Sequence, residues 1–219
     1  MSEKYLTFDC YGTLLQENNT YDEIEKIALQ VGVDPSIARQ RFETYQNDSN
    51  NVHPYLDYDL LIRNNLIHLD YQFGLKHQFE KYFVDVMIAH QNLVPFPETI
   101  KTLKTLVKRD YHLIIMSNSS WDIIDKNVQK LEVPFDIWTA EDVHAYKPDL
   151  HFFETVEKEY GFTSQNHWHL AEGYESDIIS TDKMGWPSIW VNRSKASASS
   201  SVQPTHTVSD LTSTLEFLN

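Results

Sequence analysis

Four apolar runs in this chain end in polar side chains of the kinds that make and break covalent bonds. "YLTF" (5–8) is followed at once by Asp9, and "YHLIIMS" (111–117) closes on Ser117 with Asn118 next. "FDIWTA" (135–140) leads to Lys147 in "HAYKPD", and "HWHLA" (167–171) leads to Glu172 and then Asp177. A carboxylate fixed where a strand ends can act as a nucleophile, forming an ester or acyl phosphate that water later cleaves. Gly12 allows a tight turn beside Asp9, and the Thr13 hydroxyl suits the turn backbone or an anionic substrate oxygen. Lys147 would offset local negative charge and keep such a nucleophile ionised.

For these groups to meet, the runs must lie side by side and point the same way. Further strand-like runs occur at "SIWVN" (188–192) and "THTV" (205–208), and helical patterns separate the runs at 97–109, 120–131, 149–160 and 175–184. A short tail helix is expected at 209–218. Near-continuous apolar strands alternating with helices predict an α/β fold with a parallel sheet covered on both faces. That sheet brings the carboxyl ends of its strands to one edge.

The stretch between the first run and the helix at 97 shows no convincing strand. It carries helical patterns at 21–33, 35–47, 54–69 and 76–92, with Pro35 and Pro54 near helix starts. It is either a helical extension of the core or a cap over the strand ends, where open α/β sheets bind ligands. Length and position favour the cap, which divides the chain into a core of 1–15 and 96–219 and an all-helical cap of 16–95. The Ser-rich segment 193–205 reads as a surface loop.

Composition narrows the class. With 41% hydrophobic and 13% aromatic residues the chain is globular, and its net charge of −14 disfavours nucleic acid or anionic membrane as a partner. A single cysteine excludes an internal disulfide framework, so Cys10 reads as a small buried hydrophobe in a reducing compartment. The N-terminus has neither a basic n-region nor an apolar h-region, and no apolar stretch has the length of a membrane span. A cytoplasmic protein is expected, monomer or homodimer. His167 and His169 share a strand face but have no nearby third ligand, which argues against a metal site there. The five tryptophans are expected mostly in the core.

The motifs, in order, resemble the haloacid dehalogenase-like hydrolases: "DCYGTL", "IIMSNSS", "YKPDLHFF" and "HLAEGYESDI" look like the family's first to fourth motifs. The resemblance runs from residue 5 to about 192 and implies a Rossmann-like core, a helical cap and Asp9 as nucleophile. Lys147 and Asp177 complete the implied catalytic set.

The family's phosphatases carry an aspartate two residues after the nucleophile to protonate the leaving oxygen. Here Tyr11 stands at that position, and with an ordinary pKa near ~10 it is a poor acid at neutral pH. Tyrosine there is similar to the 2-haloacid dehalogenase branch, in which the carboxylate displaces halide from carbon and the halide leaves unprotonated. That branch implies an arginine from the cap, for which Arg39 is the better match and Arg41 the second. Tyr11, Thr13, Arg39, Ser117 and Asn118 are then the expected contacts to a small, anionic substrate.

The pattern departs from that branch at Phe153, Glu172 and Tyr174, where the branch has tyrosine, serine and asparagine. In the phosphatases an aspartate at the position of Glu172 belongs to a magnesium site. Asp9, Glu172 and Asp177 are therefore the candidate metal set, with Mg²⁺ expected to bind weakly and no cofactor required. The leading expectation is C–X hydrolysis of a small acid through an Asp9 ester. A magnesium-dependent phosphatase is the alternative, and a non-catalytic binding protein on the same fold is the second.

Overall fold

A computed structural model describes residues 3–219. Its centre is a six-stranded sheet in which every neighbouring pair is parallel. In chain order the elements are β1 (Lys4–Phe8), β2 (Leu15–Gln16), α1 (Asn18–Val31), α2 (Pro35–Ser49), α3 (Tyr58–Gln72), α4 (Phe83–Gln91) and β3 (Val94–Pro95). Then follow α5 (Thr99–Lys108), β4 (Tyr111–Ser117), α6 (Trp121–Val128), β5 (Asp136–Thr139), α7 (Ala140–Val143), α8 (Leu150–Tyr160) and β6 (His167–Ala171). The chain closes with α9 (Ile179–Met184), β7 (Ser188–Val191) and β8 (His206–Val208). The sheet order is β5-β4-β1-β6-β7-β8, which puts β1 and its following Asp9 between β4 and β6.

The apolar strands are buried on both faces. On β1, Leu6 and Phe8 face a core with Leu103 and Leu106 of α5 and Ile124 of α6. Tyr5 faces the other side, where Ile114 and Met116 pack with Phe152, Phe153 and Trp186. That second cluster continues without a break into Ile24 of α1, Phe42 of α2 and Leu66 of α3. The helices between β2 and β3 therefore rest on the sheet half through shared apolar burial.

Local chemistry sets the helix ends. Asp34 caps α2 by accepting from the Ile37 amide at 3.0 Å, with Pro35 in the first turn. Asp149 caps α8 by accepting from the His151 amide at 2.9 Å. The short antiparallel pair β2–β3 (Leu15 opposite Pro95, Gln16 opposite Val94) brings the two ends of the helical insertion together.

Sequence reading expected the strands and long helices closely. The tail differs: only a 3-10 helix, Thr212–Glu216, forms where an α-helix was expected. Lys147 lies in the connection between α7 and α8. The segment after β6 begins as a π-helix, Tyr174–Ile178, and such wide turns recur at functional sites.

Candidate active site

Asp9 follows the central strand, and two side chains hold it: Thr13 from the adjoining turn and Lys147 from far along the chain. Lys147 Nζ donates to Asp9 Oδ1 at 2.9 Å and to Asp177 Oδ1 at 2.6 Å. The Thr13 hydroxyl donates to Asp9 Oδ2 at 2.7 Å and accepts from the Glu172 amide at 2.7 Å. Both carboxylate oxygens of Asp9 are therefore held, which fixes the direction from which it can attack.

The buried charges set one another's protonation. Burial raises the pKa of Asp9, against the pull of Lys147 and with the charge of Asp177 adding to the rise. Burial would raise Asp177 too, but Lys147 and the His169 hydrogen bond outweigh it and hold Asp177 down at about 2. Burial works against the Lys147 ammonium, yet Asp177 and Asp9 together raise its pKa. One cation thus sits between two carboxylates, each within hydrogen-bond distance of it, so the trio keeps one net negative charge when all three are ionised.

Asp177 is aimed from below. It is carried by the π-helical turn, and Gly173 leaves room for it: a Cβ at Gly173 would lie 2.7 Å from Asp177 Oδ2 and closer still to Ser176 Oγ. A buried chain of hydrogen bonds continues from Asp177 to His169 Nε2 (3.1 Å), and from His169 Nδ1 to Thr7 Oγ1 (2.8 Å). It ends at His167 Nε2, 2.7 Å from the same hydroxyl. These histidines orient the site from the core.

A cavity of about 160 Å³ opens over Asp9. Its sheet-side wall includes Tyr11, Asn118, Lys147 and Glu172. Asn118 bridges two loops, donating from Nδ2 to the Lys147 carbonyl at 2.8 Å and accepting from the Lys147 amide at 2.7 Å. The Tyr11 hydroxyl donates to Ser119 Oγ at 3.2 Å, and burial pushes its pKa up, so it offers no acid near neutral pH.

Several expected contacts stand elsewhere. Arg39 turns away from Asp9: its guanidinium pairs with Glu43 at 2.9 Å and Glu25 at 3.3 Å and lies over the Tyr21 ring. Arg41 also points outward, donating to the Gln72 carbonyl at 3.0 Å. The cause is the phase of α2, whose buried stripe runs through Ala38, Phe42 and Ser49. Gln46, four residues beyond Phe42, faces the cavity in their place. Thr13 and Ser117 are fully buried and hold other protein groups, Thr13 gripping Asp9 and Ser117 pairing with Ser119 Oγ at 2.9 Å.

The metal set does not assemble. Among the described residues no three His, Cys, Asp or Glu side chains converge as ligands for an ion. Asp177 spends its oxygens on Lys147, His169 and Ser176, so Asp9, Glu172 and Asp177 do not fit a Mg²⁺ site.

Sequence reading missed Glu17. It directly precedes α1, lines the cavity and accepts from the Tyr21 hydroxyl at 3.3 Å. Burial, then the charges of Asp9 and Glu172, push its carboxyl up to about 7. Nothing in its spacing singles it out. Arg193 was missed as well; it donates to the carbonyls of Gly12 (3.2 Å) and Thr13 (2.8 Å) and so braces the turn after Asp9. Asn65 had a signal: it interrupts the apolar stripe of Leu61, Ile62, Leu66 and Leu69 on α3.

Comparison with known proteins places the chain. The family pattern for "haloacid dehalogenase-like hydrolase" matches residues 3–178, and the chain belongs to that family. It is 26% identical over 209 residues to an (S)-2-haloacid dehalogenase of Pseudomonas fluorescens, covering 93% of this chain and 91% of that one. A solved L-2-haloacid dehalogenase superposes with TM-score 0.87 at 18% identity, over 100% of this chain and 99% of that one. The L-2-haloacid dehalogenase of Xanthobacter autotrophicus, solved with chloropropionic acid covalently bound, gives TM-score 0.81 at 18% identity, over 99% and 98% of the two chains.

Proposed function

We propose that this hydrolase opens a carbon–halogen bond of a small 2-haloacid through a covalent Asp9 ester, with residues 16–95 acting as its cap. The observation that carries the reading is Asp9 itself: a strand-end carboxylate gripped by Lys147 and Thr13, with Tyr11 standing where a leaving oxygen would need an acid. Asp9 attacks the carbon bearing the halogen, and the bonding pair departs with the halide. Water then attacks the ester carbonyl, releasing a 2-hydroxy acid and returning Asp9 with a solvent oxygen. Glu172 faces the cavity, and burial with the nearby charge of Asp9 raises its pKa, which suits it to take the proton of that water. Lys147 balances Asp9 and Asp177 before the attack, and Asp177 alone while Asp9 is an ester. The named relatives support the same chemistry, one of them by a covalently held chloropropionic acid. Single, buried Cys10 fits a reducing, cytoplasmic setting.

The test is halide release from short 2-haloacids, set beside phosphate release from phosphomonoesters, each before and after EDTA. Halide release indifferent to EDTA is expected. Asp9→Asn should abolish turnover while melting like the native protein, and single turnover in ¹⁸O-water should place the label in Asp9. Strong, EDTA-sensitive phosphatase activity without halide release would replace this reading with the phosphatase.

A further inference from the structure

The cap-side wall of the cavity carries two buried acceptors that are unpaired among the described residues. Asn65 is 1% exposed, and its Nδ2 donates to the Phe42 carbonyl at 3.0 Å. That bond fixes the amide, so Oδ1 is the free end; it is buried, has no hydrogen-bond partner among the described residues, and belongs to a residue that lines the cavity. Gln46 Oε1, from the neighbouring helix, is likewise buried and unpaired on the same cavity. An acceptor left without a donor away from water costs about 1–3 kcal/mol, so native proteins rarely keep two together without a use for them.

Among the described residues no arginine lines this wall, and Arg39 is tied to Glu25 and Glu43 outside it. The ionisable side chains lining the cavity, among the described residues, are Asp9, Tyr11, Glu17, Tyr58 and Glu172, with Lys147 as the one cation and already bound to two carboxylates. Such a wall repels a second anionic group and welcomes a neutral donor. We infer that Asn65 and Gln46 form a specificity subsite for a hydroxyl or amide N–H on the substrate, away from the carbon that Asp9 attacks. The preferred substrate is then a 2-haloacid with a hydrogen-bond donor on its side chain. The inference rests on the proposed reaction for its halogen and on the unpaired amides for its donor. A site built to bond a hydroxyl discriminates strongly against the analogue that lacks it, because the protein acceptors are stranded again.

The experiment compares two substrates of nearly equal size, 2-chloro-3-hydroxypropionate and 2-chlorobutyrate, which differ by hydroxyl against methyl. The kcat/KM ratio should favour the hydroxylated acid by about tenfold or more. In Asn65→Leu and, separately, Gln46→Met, that ratio should fall toward unity; Gln46→Met guards against misfolding of the first variant, since its side chain holds no backbone group. Binding is measured beside turnover, by calorimetry of glycerate against 2-hydroxybutyrate with the Asp9→Asn protein. Tighter glycerate binding that either amide variant erases supports the subsite even if no haloacid is turned over, an outcome that would defeat the reaction alone. Equal binding and equal kcat/KM for both members of each pair, with halide released normally, would overturn the subsite and leave the reaction standing.

Discussion

At the residue scale the site is governed by unequal carboxylates. Asp9 and Asp177 share one lysine, whereas Glu17 forms no ion pair among the described residues and faces Asp9 and Glu172 across the cavity. With its pKa at about 7, Glu17 is neutral in mild acid and charged in mild base. An anionic substrate meets one more negative charge once Glu17 ionises. KM for a 2-haloacid should therefore rise as pH passes upward through about 7. In Glu17→Gln the rise should be flattened, as initial rates across pH 5.5–8.5 would reveal, taking that range as roughly the window around the Glu17 titration. An unchanged KM profile in the variant would remove Glu17 from the substrate's surroundings.

At the scale of elements, two local arrangements carry opposite expectations. The turn after β6 has no space beside Gly173, because a Cβ there would lie 2.7 Å from Asp177 Oδ2. Gly173→Ala should push Asp177 off Lys147, cutting kcat by an order of magnitude or more and costing about 1–3 kcal/mol of stability. Steady-state kinetics and chemical denaturation would check both. Arg39 is the contrary case. It is one-third exposed and paired with two glutamates on the helical surface, so Arg39→Ala should change stability by less than about 1 kcal/mol. Its kcat/KM should stay within about threefold of native, measured by halide release. A collapse of activity in this variant would show that α2 turns its other face to the substrate during turnover.

At the scale of the whole molecule, the apolar cluster that joins both halves also fixes the protonation of the groups between them. Glu17 is neutral longer in the folded chain, where its pKa is about 7 against 4.5 when free. The folded state therefore binds more protons between those values, and stability from this group is complete at low pH and lost as pH rises toward 7. The difference amounts to at most about 3 kcal/mol. Urea denaturation at pH 5 and pH 8 should show that loss in the native protein and much less of it in Glu17→Gln. Asp177 acts with the opposite sign, since its pKa is lowered from 3.8 to about 2; its contribution is present above that range and disappears as pH falls through it.

Much of this architecture was legible in the residues alone. Apolar runs alternating with 3.6-residue periodicity imply parallel strands and crossover helices, and parallel strands must bring their carboxyl ends to one edge. Asp9, Lys147 and Asp177 consequently meet although they lie far apart in the chain. Tyr11 declared by its type alone that the usual proton donor is absent. What spacing does not encode is which way a helix rolls and which groups it sets opposite one another. The roll of α2 follows from burying Ala38 and Phe42, which sends Arg39 outward and Gln46 inward. Asn65 Oδ1 is free only because the Phe42 carbonyl holds its amide nitrogen, a contact across two helices. The Glu17 carboxyl is pushed up to about 7 only because folding buries it and places it near Asp9 and Glu172. The reactive centre follows from parallel strands whose ends share one edge, which sequence patterns specify; the strand order and the selectivity around the centre follow from packing between elements, which only the tertiary structure decides.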